Sequence, residues 1–458
     1  MKRILSSVLI LLLSALLLSL VSAQTILWEH TWGGSGSDNG VAVTVKGDYV
    51  YIAGGYTPGD AFVAKFDLDG NLIWDRTLDI EGDIADDVAV DGQGNVYIVG
   101  RASDYAEYGF VAKFDSGGDL KWSKIWPGSG GKGVAVDSAG NIYVAGEVSG
   151  AGRDVLVMKL DSDGNILWQK SWGGSGDDWA QDIALDSSGN VYVTGHTPSF
   201  TSPYGPYMFL LKFDGSGNFK WNKLWVVGHA TAGHGLTIDS QNNIYIAGKM
   251  TFAGKTDAVL VKFDSDGNLL WAMGWGGGDT DVGMSVAVDS STVYLAGYTY
   301  SFGGFSEAFV AAFTSSGNLV WDGVWGGVDK DGAYDIAFAG PLYLTGYTYS
   351  STRSFRDPSA TITSPSATIM TPSATIDDPG ITLTSEGWIS DPSITLDQLQ
   401  GQDAFILSFE PPPAPVGGEI MTPYSQRDWE QITPLMAIVS LISILTITAI
   451  IRRRYMKR

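Results

Sequence analysis

Short apolar runs alternate with polar turns along most of the chain, and the same group of four runs recurs seven times. Each group begins with a short apolar run. The second run is Val-Tyr-Ile-Ala-Gly, which starts at Val50, or a similar sequence. The third run is Asp-Ala-Phe-Val-Ala-Lys-Phe-Asp, which ends at Asp67, or a similar sequence. The remaining run contains a Trp at Trp28, Trp74, Trp122, Trp168, Trp221, Trp271 and Trp321. Runs of this length with β-branched and aromatic residues predict strands, so each unit supplies four.

Four strands in a unit of about 45 to 50 residues are typical of a β-propeller blade. The chain opens with a lone fourth strand, Thr25 to Trp32, whereas the last unit supplies only three strands. Pairing the first strand beside Phe409 would complete the seventh blade and remove the open seam of the ring. The sequence therefore predicts an all-β fold over residues 24–410, a seven-bladed β-propeller closed by its N- and C-terminal strands.

The turns between the runs favour hairpins over calcium loops. Asp67-Leu68-Asp69-Gly70-Asn71 is one of several similar segments. Asp caps a tight turn with its side chain, and Gly takes the left-handed position that ends it. A calcium loop would need Glu at its twelfth position, which is Leu78 here.

The repeated Gly-Asn-x-Tyr-x-x-Gly, Asp-Ala-Phe-Val-x-Lys-Phe-Asp and Gly-Asn-Leu-x-Trp sequences resemble the prokaryotic seven-bladed β-propeller repeat family of the SBBP type. The resemblance covers Thr25 to Glu410 and implies the propeller fold in an exported protein. It implies no single activity, so no functional residue is assigned through it. The chain departs from the pattern where Leu78 replaces the second Trp, where Ser291-Thr292 shortens a turn, and where an insertion splits the seventh unit.

Both ends of the chain carry membrane signals. Residues 1–23 have a basic start, an apolar run and a small-residue ending, which predicts a secretory signal peptide, with an uncleaved anchor as the alternative. A Pro-rich stalk at 411–431 precedes an uncharged run at 432–451, long enough to span a bilayer. The basic tail, 452–458, predicts a cytoplasmic C-terminus and a propeller outside the cell membrane. The order of these segments also resembles C-terminal sorting signals, after which the helix is sometimes removed.

Composition narrows the partners. The chain has 50 acidic and 28 basic residues, and seven of the basic ones lie in the two end segments, so 21 remain in the exported part. This balance argues against nucleic acid and favours a cationic or neutral partner. The chain has no Cys, which excludes disulfides and thiolate sites.

The connections between blades and the loops between second and third strands share one face, here called the connection face. The Asp-Gly turns share the opposite hairpin face. The connection face is the more variable, and variable loops on a rigid scaffold are where binding residues concentrate. Aromatic rings beside carboxylates suit a sugar, a cation or an extended peptide. The candidate ligand residues are Tyr56, Tyr298, Tyr300, Tyr347, Asp177, Asp178, Asp279 and Asp281.

The insertion at 351–402 repeats a Pro every seven residues from Pro358 to Pro379, mostly in Pro-Ser-Ala-Thr-Ile. Its Ser, Thr and Pro content favours an extended, glycosylated loop on the outward face. Its alternating Thr and Ile would also permit a small β-arch.

These observations predict a cell-surface binding or adhesion module for a glycan, peptide or protein. The alternatives are an extracellular glycan-processing enzyme that uses acids on the same face and a structural component of the cell envelope. His196, His229 and His234 could supply nitrogen ligands to a metal ion, but no carboxylates are placed to complete such a site. No metal, cofactor or catalytic residue is predicted.

Overall fold

A computed structural model describes residues 24–33, 37–56, 59–79, 84–102, 108–149, 152–200, 205–356, 358, 361–363, 368–370, 375–377, 388–390 and 402–412. Within these ranges no helix is long and apolar enough to cross a membrane. The predicted signal peptide, membrane helix, basic tail and nearly all of the stalk lie outside the described residues.

The described part of the chain consists of 33 strands and the turns between them. After β1 (Thr25–Trp32), six blades follow, each made of four consecutive strands. Blade 1 is β2 (Asn39–Lys46), β3 (Tyr49–Tyr56), β4 (Asp60–Asp67) and β5 (Leu72–Asp79); blade 2 is β6 (Ile84–Val90), β7 (Val96–Ala102), β8 (Tyr108–Phe114) and β9 (Leu120–Pro127). Blade 3 is β10 (Gly130–Val136), β11 (Ile142–Ser149), β12 (Arg153–Leu160) and β13 (Ile166–Gly173); blade 4 is β14 (Trp179–Leu185), β15 (Val191–Thr197), β16 (Tyr207–Phe213) and β17 (Phe219–Val226). Blade 5 is β18 (Ala230–Ile238), β19 (Ile244–Phe252), β20 (Lys255–Phe263) and β21 (Leu269–Gly276); blade 6 is β22 (Asp281–Val288), β23 (Thr292–Thr299), β24 (Glu307–Thr314) and β25 (Leu319–Gly326).

The chain continues with β26 (Asp331–Phe338) and β27 (Leu342–Thr348), the first two strands of blade 7. Five three-residue strands come next: β28 (Ser354–Arg356), β29 (Thr361–Thr363), β30 (Thr368–Met370), β31 (Thr375–Asp377) and β32 (Trp388–Ser390). The last strand is β33 (Asp403–Glu410).

Blade 7 is completed by both ends of the propeller. Its strand order is β26, β27, β33 and then β1, all antiparallel. Ile26 of β1 lies opposite Phe409 of β33. The predicted closure of a seven-bladed, all-β ring beside Phe409 is therefore confirmed.

The hydrophobic core consists of seven clusters, each formed by residues of two neighbouring blades. The middle strands of a blade are covered on both faces, which explains why they read as almost continuous apolar runs. β24, for example, is buried from Glu307 to Phe313. Packing between blades, rather than within one, is thus what buries the chain.

The first Trp of each fourth strand contacts the next blade. The indole N–H of Trp168 donates to the carbonyl of Gly215, in the β16–β17 turn, at 3.2 Å. In the same turn Gly217 has a φ of +81°, and a Cβ added to it would lie 2.7 Å from the Trp168 ring. Glycine is needed here for its left-handed backbone and because the ring occupies the space.

The same contact recurs around the ring. Trp74, Trp122 and Trp271 also donate to a turn carbonyl of the following blade, at 3.1 to 3.2 Å. The Lys of the third strand donates to that same carbonyl, as Lys113 does to Ser162 at 2.9 Å. The turns of the hairpin face are therefore the contact points between blades.

The Asp that opens each turn stabilises it. Asp161 accepts from the backbone N–H of Asp163 and Asn165 at 3.0 and 2.9 Å. In the turns between first and second strands, the Asp also accepts from the Tyr two residues after the turn Asn, as Asp186 does from Tyr192 at 3.1 Å. These carboxylates are hydrogen-bonded within their own turns, which confirms the hairpin interpretation.

In several blades the second Trp is buried against a Phe of the next blade. The ring centroids of Trp172 and Phe209 are 4.8 Å apart, and those of Trp275 and Phe309 are 3.9 Å apart. These tryptophans therefore pack neighbouring blades together.

The described parts of the insertion are neither an extended loop nor a separate β-arch. β28, β29, β30, β31 and β32 each add a fifth strand to the outer edge of a blade, in the order blade 6, 5, 4, 3 and 1. We call them the rim strands. In four of them the central residue lies opposite the second Trp of the blade, as Ile376 lies opposite Trp172. An exposed strand edge offers unpaired backbone groups, and the Thr-Ile alternation suits an added strand.

We predict that Gly217→Ala lowers the free energy of unfolding by more than about 2 kcal/mol, because a left-handed backbone and contact with the Trp168 ring both oppose a Cβ. Gly189→Ala is the matched control: its φ is +77° and a Cβ there would meet nothing within 4 Å. That variant should lose only about 1 kcal/mol. Equal losses in denaturant titrations of the two variants would refute the role of the Trp contact.

Candidate functional site

The first strand of every blade contains a β-bulge, and these bulges surround the axis of the propeller. The first strands of neighbouring blades lie against each other, which makes them the innermost strands of the ring. A bulge leaves one residue without a partner and turns its side chain away from the ladder. The bulged residues are Val41, Asp86, Lys132, Gln181, His234, Met284 and Tyr334.

All seven bulged residues line one cavity of about 330 Å³. We call it the axial cavity. The bulges occur in the first half of each strand, so the cavity lies toward the connection face. Its volume is at the lower end of the range of about 300 to 1,000 Å³ that is usual for small-molecule sites.

The side chains around the axial cavity differ from blade to blade. Blades 2 and 3 contribute charges: Lys132 forms an ion pair with Asp86 at 3.1 Å, and Arg101 also lines the cavity. Glu147, on the second strand of blade 3, is buried, and this burial raises its pKa to about 7 although the nearby Lys132 opposes the rise. The cavity wall therefore carries both signs of charge on one side.

Blades 4 and 5 contribute two histidines. Burial lowers the pKa of both His196 and His234 to about 4, and Lys249 adds to the effect. Nδ1 of His234 lies 2.9 Å from the carbonyl oxygen of Gly283. Both rings are therefore neutral at pH 7.

Blades 6 and 7 contribute tyrosines. The ring centroids of Tyr334 and Tyr347 are 5.4 Å apart, those of Tyr347 and Tyr349 are 6.5 Å apart, and those of Tyr298 and Tyr300 are 6.1 Å apart. The other four tyrosines all raise the pKa of Tyr334, in addition to its burial, so the two groups adjoin. We call these five residues the tyrosine cluster. Tyr300 and Tyr349 remain 43% and 38% exposed.

Three aspartates directly after the bulges join neighbouring blades deep in the cavity. Asp87 accepts from the N–H of Val134 at 2.7 Å, Asp182 from Leu236 at 2.6 Å, and Asp335 from Val43 at 2.7 Å, in each case across to the next blade. Burial raises the pKa of Asp182 to about 7 and that of Asp335 to about 6. Burial and the Asp182 charge raise the pKa of Asp87 well above its ordinary value.

Among the residues that the structure describes, no group of three or more His, Cys, Asp or Glu could hold a metal ion. His196 and His234 are near each other, since the charges of Lys249 and His196 both help to lower the pKa of His234.

Two segments of the chain match known β-propeller families. Residues 172–199 match the SBBP β-propeller repeat, and residues 242–269 match a β-propeller domain of unknown function, DUF5122. The chain is therefore similar to known β-propeller repeats over these two segments. A search of curated proteins found no match.

Solved propeller structures resemble this chain only distantly. The propeller domain of the Trilobed protease from Pyrococcus furiosus is 11% identical, with a TM-score of 0.43 over 73% of this chain and 97% of that one. The periplasmic gluconolactonase of Pseudomonas aeruginosa is 12% identical, with a TM-score of 0.42 over 75% of this chain and 99% of that one. At these values neither carries an argument about function.

The structure brings three of the predicted ligand residues together. Tyr298, Tyr300 and Tyr347 belong to the tyrosine cluster beside the axial cavity. Tyr56 ends β3 in blade 1, outside this cluster. Asp177 is half-buried and accepts from the backbone N–H of Arg153 at 3.0 Å, and Asp279 is exposed.

Asp178 and Asp281 are fully buried and hold connection loops in place. Asp178 accepts from the hydroxyl groups of Thr197 and Ser199, and Asp281 accepts from their counterparts Thr299 and Ser301. Each carboxylate also accepts a backbone N–H, from Gly174 or Gly277, at 2.9 Å. As placed, these two side chains have no surface to offer a ligand.

Sequence reasoning did not single out Glu147 or the bulged residues Val41, Lys132, Gln181, Met284 and Tyr334. A usable signal was present, because each first strand reads small residue, variable residue, and then Asp, Gly, Ser or Ala, as in Gly131-Lys132-Gly133. The variable position is the one that faces the axial cavity. Only the alignment of all seven blades makes it stand out.

We predict that the stability lost in Asp335→Asn is largest near pH 4.5 and shrinks as the pH rises to 8. An unfolded Asp has a pKa near 4, whereas the folded pKa is about 6. The folded protein therefore binds a proton that the unfolded chain has released, and this contribution is lost as the pH rises through the folded pKa. Asn cannot titrate, so only the wild type shows the loss.

The measurement is the midpoint of thermal unfolding of variant and wild type from pH 4.5 to 8. Taking the difference removes the opposite contribution of His196 and His234, whose lowered pKa values weaken the fold as the pH falls. Asp161→Asn is the control, because turn hydrogen bonds lower the pKa of Asp161 and its effect falls below pH 4. A constant difference for Asp335→Asn would contradict the assignment.

Proposed function

We propose that this seven-bladed propeller is a cell-surface binding module that holds a neutral or cationic carbohydrate at the axial cavity. The observation that supports it is the tyrosine cluster beside a cavity of about 330 Å³. Tyrosine offers a large apolar face for a sugar ring together with a hydroxyl for its polar groups. Asp86, Lys132 and Gln181 supply hydrogen-bonding groups on the other side.

The charge of the exported part supports this class of ligand. An excess of acids repels polyanions, so acidic glycans and nucleic acids are disfavoured. The neutral histidines and the Asp86–Lys132 ion pair leave the cavity wall itself mixed in sign. A neutral or amino sugar fits both properties.

The proposed location is the outside of the cell membrane, with 432–451 as a single-pass anchor and the C-terminus in the cytoplasm. In blade 7, Phe409 lies opposite Leu342, which follows the hairpin-face turn at Gly340. The chain therefore leaves the propeller on the hairpin face.

We predict that Tyr300→Ala and Tyr349→Ala each weaken carbohydrate binding at least about fivefold, because an aromatic contact contributes about 1 kcal/mol. Both side chains are well exposed, so the fold should be unaffected. Binding is measured by calorimetry with the best neutral or amino sugar from a glycan array.

Tyr49→Ala is the matched control for these variants. Tyr49 is 38% exposed at the start of β3 on the hairpin face, and its loss should leave the affinity unchanged. Equal weakening in all three variants would move the site elsewhere. No binding to any glycan, together with copurification with the cell envelope, would favour a structural component of the envelope instead.

A second candidate function is glycan processing, and the protonation of Glu147 is the observation that favours it. A carboxyl group with a pKa of about 7 is half protonated at neutral pH and suits a general acid. We predict for this case that Glu147→Gln abolishes turnover and leaves sugar binding within about twofold. A wild-type protein that binds a sugar without converting it would exclude the enzyme.

A further inference from the structure

Exposed apolar side chains are concentrated over blades 6 and 7 on the connection face. Four of them are 38 to 79% exposed: Tyr300, Phe305, Val328 and Tyr349. Tyr300 and Phe305 belong to the loop between β23 and β24, Val328 belongs to the loop between β25 and β26, and Tyr349 directly follows β27. We call these four residues the outer patch. Contiguous apolar groups on a surface usually mark an interaction site.

Hydrogen bonds hold the segments that carry the outer patch together. The hydroxyl groups of Ser306 and Tyr347 lie 3.1 Å apart, and the carbonyl of Ser306 accepts from the N–H of Asp331 at 2.8 Å. The N–H of Tyr349 donates to the carbonyl of Lys330 at 2.9 Å. The four side chains are therefore carried by segments in direct contact.

The loop between β23 and β24 is fixed at both its start and its middle. The N–H of Tyr300 donates to the carbonyl of Thr280 at 2.9 Å. The guanidinium group of Arg356, from the rim strand β28, donates to the carbonyl of Phe302 at 2.9 Å and forms an ion pair with Glu307. A loop that is already ordered loses less conformational entropy when a ligand binds, which favours affinity.

The outer patch lies beyond the axial cavity. Of the tyrosine cluster, only Tyr334 lines the cavity. The ring centroid of Tyr334 is 5.4 Å from that of Tyr347, which is 6.5 Å from that of Tyr349, so a row of rings leads outward to the patch. A ligand confined to about 330 Å³ would leave Phe305 and Val328 in water. A ligand that contacts the whole row must therefore extend out of the cavity.

Carboxylates stand beside the outer patch. Asp279 and Asp329 are both exposed, and their backbone N–H groups donate to the hydroxyl groups of Ser301 and Ser350, at 3.0 Å in each case. Aromatic rings beside hydrogen-bond acceptors suit a sugar unit, because a ring covers its apolar face and the acceptors bind its hydroxyl groups. The same acids disfavour an anionic ligand.

We propose that the carbohydrate is a linear oligosaccharide whose terminal unit occupies the axial cavity and whose following units lie on the outer patch. This inference rests on the proposed function, because it requires a sugar in the cavity. Tyr334 and Gln181 contact the terminal unit, whereas Phe305 contacts only the units outside. The ligand class is a neutral or amino oligosaccharide, and a free monosaccharide fills only part of the site.

The dependence of affinity on sugar length is the first test, made with the full chain. Glucose, mannose, galactose and glucosamine, each as one to six linked units, are immobilised on one array, and every series that binds is measured by calorimetry. We expect a trisaccharide to bind at least about tenfold more tightly than the monosaccharide of the same series, because it adds aromatic contacts. Equal affinities for one and three units would overturn the inference and leave the proposed function standing. No binding to any series would overturn both.

Phe305→Ala is the second test. We expect this variant to weaken trisaccharide binding at least about fivefold and to leave monosaccharide binding within about twofold, since Phe305 lies outside the cavity. Gln181→Ala should instead weaken both by the same factor, because Gln181 lines the cavity. Equal losses at both lengths in Phe305→Ala would overturn the placement of the outer units.

Phe252→Ala is the matched control for Phe305→Ala. Phe252 lies on the connection face at the end of β19, is 62% exposed, and belongs to none of the segments that carry the outer patch. Its loss should leave the affinity for both lengths unchanged. A loss of trisaccharide affinity equal to that of Phe305→Ala would overturn the assignment to blades 6 and 7.

Two other occupants of the outer patch have their own outcomes. Dimers in sedimentation that Phe305→Ala converts to monomers would overturn the inference in favour of a second copy of this chain. Binding to a peptide array that Phe305→Ala abolishes, without binding to any sugar, would overturn it in favour of an extended peptide.

Discussion

The whole ring depends on the contact between a tryptophan of one blade and a glycine turn of the next. A single blade is a four-stranded sheet that cannot bury either face alone. The indole packs on the turn, donates to its carbonyl, and so fixes both the distance and the tilt between neighbours. Since each turn glycine contacts the tryptophan of the preceding blade, as Gly217 contacts Trp168, each blade is held by residues that its neighbour supplies. That arrangement explains why the repeat keeps these two residues while its loops vary.

The hairpin face holds the blades together, whereas the axial cavity is lined by side chains that differ between blades. On the hairpin face, aspartates accept hydrogen bonds within their own turns, and lysines donate hydrogen bonds to carbonyl groups of the next blade. Around the axis, one bulge per blade frees a single side chain from the ladder, and the seven freed side chains are all different. The side chains around the axis therefore vary from blade to blade, whereas the contacts of the hairpin face are repeated.

The strands, the number of blades and the closure beside Phe409 could be predicted from the sequence, because repetition reports the same local pattern seven times. The sequence also singles out Tyr298, Tyr300 and Tyr347, which lie together at the ends of β23 and β27, and ligand binding by them stays a prediction. The roles of Asp178 and Asp281 could not, because an acid that holds a loop looks like an acid that binds a ligand. Lys132 could not be predicted either, because a bulge depends on pairing between strands and leaves little trace in one repeat. The insertion was expected to be a loop because the five strands with which its segments pair belong to different blades and are distant in the sequence.

The rim strands add to the blades in the reverse of the order in which the blades are synthesised. The ribosome makes blade 1 first, yet its fifth strand, β32, is among the last segments to emerge. Until the rim strands are made, the outer edges of blades 1, 3, 4, 5 and 6 lack the fifth strands that pair with them, and a strand of another molecule could pair there instead. These fifth strands lie within the last sixty or so residues of the propeller and are therefore made late. Between the translation of blade 1 and that of β33, the uncovered strand edges of this protein can pair with strands of neighbouring molecules.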